Sequence, residues 1–148
     1  HGIRFREGEG SRVSLLERMN LAWGALCSQP ILPSEETVRS SFIRLNDERR
    51  IKAICRKFTP ESGRAGREIV LGNIAVDVHA VCPPTLVVCG EKDNVIHPDV
   101  SREIARRYGV EPNMFPDHGH MLNFEPGWEE VAKLCFSWAK RQVSKTAR

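Results

Sequence analysis

Pro84-Thr85-Leu86-Val87-Val88-Cys89-Gly90-Glu91-Lys92-Asp93 decides the fold. Thr85 to Cys89 is a continuous apolar run, opened by Pro83-Pro84 and closed by Gly90. A strand with one wet face alternates polar and apolar residues, so an unbroken run marks a strand covered on both faces. Downstream, a helix is expected from about Pro98 to Tyr108, with Val100, Ile104, Ala105 and Tyr108 on its inner face. Gly109 follows as the residue that ends it in a left-handed turn. Residues 111–115 read as a second short strand, and Trp128, Val131, Leu134, Cys135 and Trp138 as the inner stripe of a terminal amphipathic helix. Short strands in the order β-α-β-α imply parallel pairing through a right-handed crossover. The fold class is therefore α/β, with strands at about 84–89 and 111–115 flanked by helices.

Upstream of this segment the pattern changes from strand to helix, which divides the chain into residues 1–80 and 81–148. Leu15, Leu16, Met19, Ala22, Trp23 and Leu26 recur at three- and four-residue steps, the spacing of one helical face. Pro30 and Pro33 end that segment. Ser34 is the expected N-cap of a helix using Val38, Phe42 and Ile43, and Ile51, Ile54, Cys55 and Phe58 predict another. Thr59-Pro60 reads as an N-cap followed by proline at the first helical position of a fourth, running toward Leu71.

Bulk properties exclude several functions. A net charge of +3 from 22 basic and 19 acidic residues is small and interleaved, which argues against nucleic acid or an anionic membrane as partner. No apolar run approaches the roughly 18 residues a membrane span requires, and no signal peptide is visible. The five cysteines are odd in number, and no two are spaced as C-x-x-C, so neither a disulfide framework nor a thiolate zinc site is expected. A reducing, cytoplasmic compartment follows. Cys89 and Cys135 sit within apolar patterns and read as small core residues.

Two parallel strands cannot enclose a core. The sequence therefore reads as a piece of a larger sheet, whose other strands come from a missing N-terminal half, a second chain or another copy of this one. The opening His1-Gly2, without an initiating Met, fits a processed, truncated or recombinant start.

In open α/β sheets, functional groups lie just beyond the carboxyl ends of the strands. Two loops fall there, Gly90 to Pro98 and Phe115 to Leu122, and parallel neighbours would set them side by side. Asp93 and His120 could then meet. A carboxylate beside an imidazole fixes the ring tautomer and stabilises the imidazolium formed when the ring takes a proton. Taken singly, Asp93 reads better as a cap of the following helix and His120 as a loop histidine. The paired placement at two strand ends favours chemistry.

At these residues the chain resembles the α/β-hydrolase superfamily. The segment Pro84 to Asp93 is similar to the one that carries the family's catalytic acid. Phe115-Pro116-Asp117-His118-Gly119-His120-Met121 is similar to the one that ends in Gly-His with its catalytic histidine. The stretch from Asn123 to Trp138 resembles the terminal helix, with an acidic residue and an aromatic soon after the histidine. The resemblance covers about residues 82–140, and the helical segment at about 11–80 is similar in character to the lid many members insert before the acid strand. It implies that Asp93 is the acid and His120 the general base of a triad, with His118 at a variable position and Glu91 and Asp117 as reserve acids. The G-x-S-x-G nucleophile elbow that most members require is missing. Gly8-Glu9-Gly10-Ser11-Arg12 lacks a preceding strand and reads as a loop. In the family's order of serine, acid, histidine, this sequence begins after the first member.

The other constellations are weaker. His118-x-His120, with Asp117, His97 and Cys89, suggests metal, but zinc needs three or four convergent ligands and no second cluster is spaced to supply them. No metal and no cofactor are expected. Gly63-x-x-Gly66 lacks the strand and the Lys-Ser/Thr of a phosphate loop. Trp23, Phe42 and Met121 are candidates for an apolar substrate pocket, with core packing an equal alternative for the first two. Two functions remain. One is a fragment of a hydrolase acting on an ester or similar acyl small molecule. The other is a catalytically inert hydrolase-like protein that forms homo-oligomers through its exposed sheet edge.

Overall fold

The computed structural model describes residues 23–24, 26–72, 74–81 and 83–146. The chain divides into two compact units, His1–Val76 and Asp77–Arg148.

The first unit is helical where it is described. Ser34 caps α1 (Glu35–Thr37), its Oγ accepting from the Thr37 N–H at 3.1 Å. The helix widens into a π-helical turn, Val38–Phe42, ending where Ile43 N–H donates to Val38 O at 3.2 Å. Asp47 caps α2 (Glu48–Cys55) in the same manner, through the Arg50 N–H. Val38, Ile43, Ile51 and Ile54 form the buried core, and the ring of Phe42 meets that of Phe58 edge-on at 5.7 Å.

Two expectations are corrected here. The fourth helix, α3 (Gly63–Val70), is capped by Ser62 rather than Thr59, with Oγ accepting from Ala65 N–H. The cause is tertiary: Glu61 and Ile31 exchange backbone hydrogen bonds of 2.8 and 2.9 Å in an antiparallel bridge, which holds the chain extended past Pro60. Trp23 and Leu26, expected on an inner helical face, are 66% and 61% exposed. Leu15, Leu16, Met19 and Ala22 lie outside the described residues.

The second unit is α/β. A 3₁₀ turn, Val78–Ala80, is followed by β1 (Val87–Gly90), α4 (Pro98–Arg107), β2 (Pro112–Phe115) and α5 (Trp128–Thr146). The strands pair in parallel, with Val87 opposite Pro112 and Gly90 opposite Phe115. β1 starts three residues later than the expected strand at 84–89 because its partner begins at Pro112, leaving residues 84–86 no ladder to join. α4 packs on β1, with Ser101 and Ala105 buried and Ser101 beside buried Cys89. It ends as expected: Gly109 adopts φ +64°, and the Val110 N–H reaches back to Ala105 O at 3.0 Å. On α5, Val131 is buried and Leu134, Cys135 and Trp138 are half-buried. Trp128 is a correction: expected on the inner stripe, it is the first residue of the helix and is 41% exposed. No helix among the described residues is long and apolar enough to cross a membrane.

Candidate functional site

Parallel pairing sets the loops after β1 and β2 beside one another, and four contacts join them. The ladder extends beyond the strands, with Glu91 N–H donating to Phe115 O and Lys92 N–H to His118 O, both at 2.9 Å. Lys92 Nζ reaches Asp117 Oδ1 at 2.7 Å. The fourth contact is the one the chemistry requires: Asp93 Oδ2 lies 3.0 Å from His120 Nδ1.

Asp93 is hydrogen-bonded through both carboxylate oxygens. It is 7% exposed, and its other oxygen, Oδ1, accepts from the N–H groups of Val95 and Ile96, each at 2.8 Å. Those two bonds form the turn that the sequence suggested as capping, so the carboxylate both builds its loop and orients the histidine. An ionised carboxylate accepts only, so Nδ1 of His120 must donate. The basic lone pair of the neutral ring is thereby placed on Nε2, and the imidazole remains one-third exposed. An imidazole in this tautomer, backed by a buried carboxylate, can take a proton from a hydroxyl or thiol and return it to a leaving group.

The other candidates lie elsewhere. Asp117 is exposed and engaged by Lys92, which holds its carboxyl below the usual range. Glu91 is exposed and joins the loops through its backbone. His118 points inward: it is 6% exposed, its ring packs edge-on to Phe115 at 5.5 Å, and Nε2 makes no hydrogen bond. Gly127, at φ +89°, leaves room for that ring, since a Cβ there would stand 3.1 Å from His118 Cε1. Met121 follows His120 and is half-buried. Trp23 and Phe42 belong to the other unit.

One residue of the site is carried by no periodic signal. Glu125 is 1% exposed, and its Oε2 accepts from the backbone N–H of Gly119 at 2.6 Å. In sequence it falls in the stretch after the histidine whose acidic residue the resemblance noted without assigning it a role. Cys89, at the end of β1 below this loop, is buried, and burial pushes its thiol up and keeps it neutral. No group of three or more His, Cys, Asp or Glu side chains among the described residues is placed to hold a metal ion.

No family model, curated protein or solved structure matches the chain.

Proposed function

We propose that the chain is the C-terminal part of an α/β-hydrolase acting on an ester or similar acyl substrate, in which Asp93 and His120 serve as acid and general base. The observation that carries this reading is the 3.0 Å contact between Asp93 Oδ2 and His120 Nδ1 at the carboxyl ends of two adjacent parallel strands. A nucleophile supplied from outside this sequence would pass its proton to Nε2 of His120 as it attacks the acyl carbon. Asp93 would stabilise the imidazolium, which then protonates the leaving alkoxide. The oxyanion donors such a reaction needs would likewise come from outside the sequence.

The test is hydrolysis of a short-chain chromogenic ester by the protein translated from the complete reading frame. Replacement of His120 by Ala should lower kcat by at least about 10⁴-fold. Full activity in H120A would refute the assignment. A second reading, an inert hydrolase-like protein that self-associates, is favoured by the sheet itself: among the described residues it has two strands, each with one edge unpaired by the other. Light scattering separates the two, since this reading requires a dimer or larger assembly and no esterase activity.

A further inference from the structure

We infer that Glu125 is a positioning residue that holds the histidine loop in register with Asp93. This rests on the acid–base reading of Asp93 and His120. Taking a carboxylate out of water is strongly unfavourable unless hydrogen bonds compensate it, and Glu125 is almost wholly buried. Its Oε2 accepts from Gly119 N–H at 2.6 Å, the distance of a short charge-assisted bond. That bond closes a ring of chain from Gly119 to Glu125, with His120 as its second residue. Within the ring, Phe124 N–H turns back to Met121 O at 2.9 Å. Beyond it, Trp128 N–H donates to Glu125 O at 3.2 Å, so the backbone of Glu125 joins the first turn of α5.

On the other side, the carbonyl of His118 accepts from Lys92 N–H, which fixes the loop's entry to the loop of Asp93. His120 is thus held from both sides: upstream by the backbone joint to Lys92, downstream by the Glu125 clasp on Gly119. Released from the clasp, the peptide before His120 can rotate. The ring can then turn Nδ1 away from Asp93 Oδ2. The role requires a side-chain oxygen in place to accept from Gly119 N–H, so Gln, of the same length, should retain it and Asp, one methylene shorter, should not.

The experiment compares wild type with E125Q, E125D and E125A by amide hydrogen exchange and ring ¹⁵N spectra of His120. The amide of Gly119 should exchange at least about tenfold faster in E125A and E125D than in E125Q, with α4 protection unchanged. His120 should keep one tautomer in wild type and E125Q and show a mixture in E125A and E125D. If E125A does not fold, the E125D and E125Q pair decides. A single His120 tautomer and a protected Gly119 amide in E125D would overturn the proposal. D93N keeps this distinct from the acid–base reading: an unaltered His120 tautomer in D93N refutes the Asp93 pairing, while the exchange of Gly119 reports on Glu125 alone.

Discussion

Gly90 and Gly119 approach each other backbone to backbone, because a Cβ placed on Gly90 would overlap the carbonyl oxygens of both His118 and Gly119. The closeness brings two loops from different strands within reach of one carboxylate–imidazole contact. Glycine at position 90 is therefore a steric requirement of the site. G90A should lose about 1–3 kcal/mol of stability, since the His118 carbonyl cannot retreat without breaking the Lys92 joint. Urea unfolding checks this, and an unchanged midpoint would contradict it.

Asp93 has two duties that substitution can separate. D93A removes the acceptor for the N–H groups of Val95 and Ile96 and should cost about 2–4 kcal/mol, at roughly 1–2 kcal/mol for each orphaned donor. D93N can still accept from both through its amide oxygen, so its loss should stay below about 1 kcal/mol. Denaturant titration of the two variants gives the comparison.

The cysteines should differ in reactivity. Cys89 is buried and its thiol is pushed up by desolvation, whereas Cys27 is exposed. A maleimide at neutral pH should modify Cys27 well before Cys89, unless the protein is unfolded beforehand. The shift has a sign for stability: the neutral thiol favours the fold below the ordinary thiol pKa, and the advantage is lost as pH rises through the higher folded value. Mass spectrometry of timed labelling reads the order.

On the outer face of α4, Glu103 is bonded by Arg106 and Arg107, which pull its carboxyl down to about 2. A lowered carboxyl stabilises the fold above its unfolded value and ceases to do so as pH falls through the folded one. This contribution should disappear between roughly pH 4.5 and 2. The carboxylate is open to solvent, so added salt should weaken the effect. Carboxyl ¹³C shifts against pH locate the midpoint.

The sequence made the framework of the second unit legible because strands and helices leave periodic marks. The apolar run at 85–89, the stripe on α4 and the glycine at its end each report a repeating or local constraint. Parallel pairing then followed, and with it the proximity of Asp93 and His120. Tertiary constraints left no such mark. The extended bridge at Glu61 moved a cap from Thr59 to Ser62, and Trp128 carried helical spacing yet stands exposed at the first position of its helix. The burial of Glu125 and His118 depends on a loop folding back on itself, for which no residue spacing is diagnostic. The close approach at Gly90 was hidden because a glycine that ends a strand reads the same whether a turn or a neighbouring carbonyl requires it.

The most direct test of the account is a long-range ¹H–¹⁵N correlation spectrum of the His120 ring at a pH where it is neutral. A hydrogen on Nδ1 and a pyridine-like Nε2 are expected in wild type, with the pattern reversed in D93N, whose amide would donate to Nδ1. An Nε2-protonated ring in the wild-type protein, or the same tautomer mixture in both, would contradict the pairing on which the functional reading stands.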